Sequence, residues 1–436
     1  MKFKPYPSYK DSGIEWLGKV PVHWKVKRIK YISTCNDDLI AESTAPNYEI
    51  EYVEISGITE NFGITETTTI TFSEAPSRAK RRVKHGDIII STVRTYLRAI
   101  SSINYPPENM VVSTGFAVIR PRNVNSGFIG YLFHAEFLIA NVIAHSAGIS
   151  YPAINASELI KLQVPFPSIQ EQATIASFLD RETQRIDTLV EEKNHFIGLL
   201  KEKRLALISH VVTKGLDSTV KMKDSGVEWL GKVPEHWKVV QLKRVVNSVK
   251  TGGTPSNLNE SHIEDSGFDW FTPGDFDENL YLNNSNRKLS KIGKSEVKIF
   301  APQTIMMIGI GATIGKVSIS KYESSCNQQI NAITCSKYIL PCYCAYYLKA
   351  NRDYIVNLYG KYTTLPIINQ DDTKSIITAL PSIQEQTAIA NFLDNQTAKI
   401  DTLITETQQS IALLKEHRTA LISAAVTGKI DVREVA

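Results

Sequence analysis

The sequence predicts a duplicated chain of mixed α/β (α+β) class: two unlike domains on one frame, each followed by a long helix. Three observations predict it. The stretch from Ser168 to Thr213 returns as Ser382 to Thr427, with 28 of 46 positions identical. The segment from Lys10 to Val26 returns as Lys223 to Val239, with 15 of 17 identical. The regions between these markers are nearly equal in length yet differ in sequence. Self-similarity on that scale is the mark of an internal repeat.

Each copy begins with the same lead-in, KDSGIEWLGKVPVHWKV and KDSGVEWLGKVPEHWKV. It is rich in Trp, Gly and Pro and reads as a structured loop. Trp16, Leu17 and Trp24 are its apolar anchors, and Pro21 sets a turn. The pairs His23-Trp24 and His236-Trp237 carry no neighbouring carboxylate in sequence, so they read as packing.

The first middle region, from about Arg28 to Ser150, alternates strand-like and helical signals. Ile50 to Ile55, Thr67 to Phe72, Asp87 to Val93 and Met110 to Ile119 are rich in β-branched residues. Phe128 to Ala144 reads as helical, so the region is mixed. Between Arg78 and Arg98 stand Arg78, Lys80, Arg81, Arg82, Lys84, Arg94 and Arg98 against the single acid Asp87. With Thr92, Thr95 and Tyr96 interleaved, the cluster suits phosphate contact plus base-edge contact. A solvated basic strand edge is the equal alternative.

The first long element then reads as one helix. Ala176, Leu179, Ile186, Val190, Ile197, Leu200, Leu207 and Val211 fall on alternating three- and four-residue steps. Ser168 with Glu171 forms a capping-box pair, and Gly215 stands just past the end. The second copy repeats the seam with Ala390, Leu393, Ile400, Ile404, Ile411, Leu414, Leu421 and Ala425, the cap with Ser382 and Glu385, and the stop with Gly428. At 1.5 Å per residue each helix is roughly 65–70 Å long. A helix of that length with one apolar stripe needs a partner, and its own copy is the nearest. Thr183, Lys193 and Arg204 interrupt the first seam; Thr397, Thr407 and Arg418 interrupt the second. Matched polar residues can fix register. Arg204 and Arg418 read instead as snorkelling to solvent.

The second middle region, from about Gln241 to Leu365, opens with a turn of exposed hydroxyls carrying Thr251, Thr254 and Ser256. Later, Gly309-Ile310-Gly311-Ala312-Thr313-Ile314-Gly315-Lys316 imitates a phosphate loop. It has Ile310 where that loop needs Gly and Val317 where it needs Ser or Thr, so nucleotide binding is not expected. A glycine loop that lets backbone approach a DNA phosphate, with Lys316 adding charge, remains open. Asn327-Gln328-Gln329-Ile330-Asn331 gathers amides able to pair with adenine, or else forms a surface edge strand. The two regions end alike, in Gly148 to Asn155 and in Lys361, Tyr362 and the residues that follow to Asn369.

At 436 residues with a net charge of +4, composition neither demands nor excludes nucleic acid. The first residues lack the apolar core of a signal peptide, and no run approaches a membrane span. A cytoplasmic location is expected. Cys35, Cys326, Cys335, Cys342 and Cys344 form no CxxC pair and read as reduced thiols, with a zinc site from the last four as the alternative. No motif of an amino-methyltransferase, HExxH or GxSxG appears. Asp275, Asp277 and Glu278 read as an acidic turn rather than a nuclease metal site. The expectation is a binding subunit with no catalytic residue, no metal and no cofactor of its own.

Two copies of P-S-I-Q-E-Q-x-x-I-A-x-F-L-D, each followed by L-L-K-E-x-R-x-A-L-I, resemble the specificity subunit of type I restriction-modification systems. The G-x-E-W-L-G-K-V-P-x-H-W segments and the T-G-G-T-P-S turn fit the same family, and the match covers essentially the whole chain. The resemblance implies target-recognition domains at residues 1–150 and 216–365, each reading half of a split DNA site. It implies spacer helices within 151–215 and 366–436 that pack as an antiparallel coiled coil about a pseudo-two-fold axis. Implied partners are double-stranded DNA, two methyltransferase subunits using S-adenosylmethionine, and restriction or translocase subunits using ATP and magnesium. The implied seam is Leu179, Ile186, Val190, Ile197, Leu200 and Leu207 with Leu393, Ile400, Ile404, Ile411, Leu414 and Leu421.

The family's DNA contacts are variable, so the candidates here rest on chemistry. Arg78, Lys80, Arg81, Arg82, Lys84, Thr92, Arg94, Thr95, Tyr96 and Arg98 are assigned to the first half-site. Thr251, Thr254, Ser256, Lys316, Gln328, Gln329, Asn331, Lys361 and Tyr362 are assigned to the second. A coiled-coil scaffold that joins proteins without reading sequence is the competing reading, and a self-contained nuclease or methyltransferase is the third.

Overall fold

The computed structural model describes residues 4–59, 63–360 and 366–434. The chain forms two compact units, residues 1–194 with 408–436, and residues 195–407. The division runs through both long helices rather than between helix and domain. Each unit therefore owns one half of each helix.

The first long helix is Ile169–Lys214 and the second is Ile383–Val426. Within the first unit the two halves run antiparallel. Asp187 meets Arg418 at 2.9 and 3.2 Å, while Ile175, Phe178 and Leu179 share a core with Leu421, Ile422, Ala425 and Val426. The second unit repeats the arrangement. Arg204 approaches Asp401 at 3.4 Å, and Ile208, Val211 and Val212 share a core with Ile389 and Leu393. Adding 214 to 187 and to 204 gives 401 and 418, so one ion pair occurs twice with its members exchanged between the copies. That exchange is what antiparallel pairing of a direct repeat requires.

The expected seam is inward. Leu179, Ile186, Ile197, Leu200, Leu393, Ile400, Ile411 and Leu421 are buried; Val190, Leu207, Ile404 and Leu414 are half-buried. Thr183, Thr397 and Thr407 are buried too, each bonding the carbonyl four residues back, which satisfies the hydroxyl inside the helix. The snorkelling expectation for Arg204 and Arg418 is corrected. Both side chains lie along the seam, 12 and 28% exposed, and turn to an aspartate of the facing helix.

Both units carry the same antiparallel sheet order. In the first, Ile100–Ser102, Ile88–Ser91, Phe116–Pro121 and Ser33–Cys35 lie side by side. In the second, the order is Val317–Ser320, Ile305–Ile308, Ile330–Cys335 and Val246–Thr251, with Tyr281–Leu282 added in parallel at the Val317–Ser320 edge. A helix pair covers each sheet: Ser126–Phe133 with Glu136–Ala144, and Pro341–Ala350 with Arg352–Tyr359. What differs is the insert. The first unit adds a sheet of Thr68–Thr71, Glu49–Val53, Met110–Ser113 and Ala79–Arg82; the second adds Lys288–Leu289, Ile263–Phe271 and Ser325–Cys326. The run expected as one strand from Met110 to Ile119 is two, because the chain turns at Thr114-Gly115 and crosses between sheets.

The lead-in segments become hairpins, Tyr9–Asp11 with Lys19–Pro21 and Met222–Asp224 with Lys232–Pro234. Trp24 and Trp237 are fully buried behind them. Trp16 stacks on Phe137 at 5.2 Å and Trp229 on Tyr354 at 5.5 Å. Each hairpin seats the end of a long helix. Gly428, at φ +71°, lies so close to Pro21 and Trp24 that a Cβ would fall 2.5 Å from Pro21 Cδ; Gly215, at φ +82°, faces Trp237. Only glycine combines that conformation with that approach.

The repeated SIQEQ start of each helix has a division of labour. Ser168 and Ser382 accept from the amides of Glu171 and Glu385, as a cap should. The glutamates do not reach back in a capping box. Glu171 accepts from Tyr6 at 2.8 Å and lies 3.0 Å from His23 Nε2. Glu385 accepts from Trp237 Nε1 at 3.0 Å and lies 3.0 Å from His236 Nε2. The packing-only reading of the two histidines is corrected: their carboxylate comes from the helix start, about 150 residues on in sequence. The following Gln172 is buried and pins Asn125, the cap of Ser126–Phe133, at 2.9 Å. Gln386 does the same for Leu340, ahead of Pro341–Ala350, at 2.8 Å.

Candidate nucleic-acid interface

In each unit the loop after the second sheet strand meets the loop returning to the long helix. In the first unit, Ile88–Ser91 runs into Thr92 to Arg98. Thr92 donates to the Gly115 carbonyl at 2.8 Å, and the Thr95 and Ser146 hydroxyls bond at 2.8 Å. Val93 and Ala147 both bridge to Ala153 of the return loop. Arg94 and Arg98 hold left-handed backbones, φ 51° and 53°, on either side of a turn at Thr95–Leu97. Non-glycine residues in that conformation are uncommon; here they bracket a buried Thr95 and the half-exposed Tyr96 and Leu97. The Arg94 guanidinium lies 4.8 Å above the Tyr151 ring.

In the second unit, Ile305–Ile308 runs into Gly309 to Lys316, and Ile310 bridges to Ile367. The glycines here are structural first. A Cβ on Gly309 would lie 2.7 Å from the Ile368 carbonyl oxygen, and one on Gly315 would lie 2.7 Å from Val356. Gly311, at φ +103°, faces open space with only Gln329 within 4 Å, so within this loop it is the glycine that leaves room for a ligand to approach the backbone. Gly252 has Cys326 O 2.2 Å from its ideal Cβ, which fixes the T-G-G-T-P-S turn against the sheet. Thr254 at the tip bonds Gln328, and both are exposed. Gln329 is held by Asn327 at 3.0 Å. The exposed Ser256 donates its backbone amide to Glu296 at 2.8 Å. Lys316 is 3.8 Å from Glu278.

Asn331 departs from its expected role. It is 3% exposed, donates to Ile368 O and the Thr373 hydroxyl, and accepts from Thr251. Its amide closes the sheet to the return segment, and Thr251 is committed with it. Lys361 and Tyr362 lie outside the described residues.

The basic run of the first unit is also changed by folding. Arg78 pairs with Glu54, Lys80 with Glu42 at 3.4 Å, and Lys84 with Asp38 at 2.7 Å. Arg98 makes a bidentate pair with Glu136 at 2.8 and 2.7 Å, and Arg82 donates to the Glu108 carbonyl at 3.3 Å. Arg81 is half-buried, and burial depresses its guanidinium below the usual range. Carboxylates distant in sequence thus offset much of a charge that looks uncompensated when read linearly. Tyr96 is half exposed, and Arg94 meets no carboxylate among the described residues. Asp87 faces inward, with Arg120 at 2.9 and 2.7 Å.

In the return loop Ile149 and Tyr151 are exposed, with Tyr151 under the Arg94 guanidinium, and neither was among the sequence candidates. The available signal was an apolar residue after Gly148 in a loop of small and polar residues. The acidic turn forms as expected: Asp275 caps Thr272, and Asp277 accepts from the Asn279 amide at 2.7 Å. The five cysteines are free, and no group of metal-ligating side chains is found among the described residues. No single described helix is long and apolar enough to cross a membrane.

A constant frame used twice, with unlike loops at the same place, defines a binding protein with two different heads. The family of the type I restriction modification DNA specificity domain matches residues 21–196 and 234–413, and the chain belongs to it. A putative type I restriction enzyme MjaX specificity subunit of Methanocaldococcus jannaschii is 22% identical, covering 96% of each chain. The EcoKI specificity subunit of Escherichia coli is 19% identical over 95% of this chain and 91% of its own. Among solved structures, a chain from work on complex assembly and conformational transition of the type I R-M system aligns with TM-score 0.76, 20% identity, and 94 and 99% coverage. The HsdS subunit of Thermoanaerobacter tengcongensis aligns with TM-score 0.56, 20% identity, and 94 and 98% coverage. These likenesses share the fold at an identity too low to transfer individual contacts.

Proposed function

We propose that the two units each read one half of an interrupted, asymmetric DNA site, and that the helix pair carries methyltransferase and restriction subunits. The observation that carries the reading is the paired loop at the same sheet position in both units, Thr92 to Arg98 and Gly309 to Lys316, with different side chains on each. Two unlike readers imply two unlike half-sites. In the first unit Arg94 and Tyr96 are the central candidates, with Thr95, buried and bonded to Ser146, positioning the turn between them, and with Arg82 and, once their acid partners yield, Arg78, Lys80 and Lys84 as peripheral phosphate contacts. In the second, Thr254, Gln328, Gln329 and Lys316 hold that place. In this reading S-adenosylmethionine, ATP and magnesium belong to the partners, and this chain performs no bond chemistry.

Because both helices pass through both units, helix length would set the unread gap. Modified-base sequencing of a host expressing the chain with its methyltransferase subunits is expected to reveal one split motif. Deleting seven residues from the middle of both helices is expected to shorten the gap and leave both half-sites intact. A chain-dependent methylation pattern without a split motif would overturn the reading. Binding that ignores salt would favour a scaffold instead.

A further inference from the structure

We propose that Ile149 is a wedge that enters a base step of the first half-site, with Tyr151 and Tyr96 flanking it. The proposal rests on the first unit being a DNA reader and adds how it deforms its target. Ile149 is fully exposed, at 103% of its reference area, so nothing in the unit covers a branched apolar side chain. It sits at the tip of a short loop that is held rather than loose. Ala147 and Ala153 close the loop with two backbone bonds of 2.8 and 2.9 Å, and Gly148 turns it at φ +110°.

Tyr151 follows two residues on in the same loop, and Thr95 ties the turn that carries Tyr96 and Leu97 to this loop, through the Pro152 carbonyl at 3.5 Å and the Ser146 hydroxyl at 2.8 Å; Tyr151, Tyr96 and Leu97 are all about half exposed or more. Four exposed apolar or aromatic side chains on two adjoining loops are the kind of surface that marks an interaction site. Arg94 lies against one face of the Tyr151 ring, which brings a cation to the base of the wedge. This mixture fits duplex DNA: the cation meets phosphate while an apolar tip parts two bases, which bends the duplex.

The test uses the full chain and duplexes bearing its split site, with 2-aminopurine placed singly along the first half-site. Unstacking by wild type is expected to raise emission several-fold at one step. Ile149→Ser is expected to abolish that rise and weaken binding about tenfold, while Ile149→Leu keeps both. The penalty for altering the second half-site is expected to be the same in all three proteins. Specific binding with no emission rise, or a rise that survives Ile149→Ser, overturns the wedge and leaves the reader standing. Unchanged DNA binding with weaker subunit assembly assigns the patch to a protein and also overturns it. Absence of any split-site preference sinks both proposals.

Discussion

At the start of the first long helix Glu171 serves Tyr6 and His23, whereas at the start of the second the equivalent Glu385 serves Trp237 and His236. The two tryptophans are equally buried, yet Trp237 Nε1 has its carboxylate and Trp24 Nε1 has no hydrogen-bond partner. The difference traces to one position. Tyr6 takes the carboxylate oxygen in the first unit, and the residue 213 places on is Thr219, whose hydroxyl turns to Asp217. A duplicated junction has kept its acid and exchanged its donor. Keeping the carboxylate matters more than which group satisfies it, because a buried acid without partners is costly while a single indole N–H costs less.

The interiors diverge in the same manner. In the first unit His134 bonds back to its own helix at Gly130 O, 2.8 Å away. The corresponding Lys349 points inward to the carbonyls of Glu278 and Asn279. Burial, with Arg204 adding to it, pushes the Lys349 ammonium down to about 8.

The largest expected effect removes the shared anchor. Trp24→Ala and Trp237→Ala should each cost about 3–5 kcal/mol, read by urea melts with hydrogen exchange to assign the loss to one unit. Equal protection losses in both units from either variant would break the picture of separate junctions.

The next effect concerns Lys349. Its folded value lies below the ordinary lysine value, so between about pH 8 and 10.5 the unfolded chain holds more protons. Stability of the second unit should therefore rise with pH across that window, by at most about 3 kcal/mol and by less for the part of the side chain that solvent screens, with the full penalty present below it. Lys349→Met should remove that part of the slope, and urea melts of both proteins at each pH isolate it. An unchanged slope would place the ammonium in solvent.

The smallest effect sharpens the contrast at the indole. Trp237→Phe removes a donor to a carboxylate and should cost about 1–2 kcal/mol more than Trp24→Phe, whose donor has no partner to lose. Thermal melts of the two variants, compared unit by unit, give the difference directly.

Much of this was legible along the chain. The helices, their serine caps and their closing glycines follow from period and from local residue type, interactions made within a few residues. The partners of His23, Arg418, Arg78 and Lys84 were not legible. Each is an acid from a distant segment, and sequence separation carries no information about which one arrives. Asn331 misled for a related reason: an amide on a strand looks alike whether it faces solvent or closes a sheet, and burial alone distinguishes them.

By itself the sequence determined the duplication, the long apolar seams and the mixed class of the heads, because periodicity and repetition are properties of residue order. Tertiary structure decided which charges remain available, which carboxylate meets which donor, and that the return loop of the first head presents Ile149. Those outcomes depend on through-space distance and desolvation, which exist only once separated segments have been brought together.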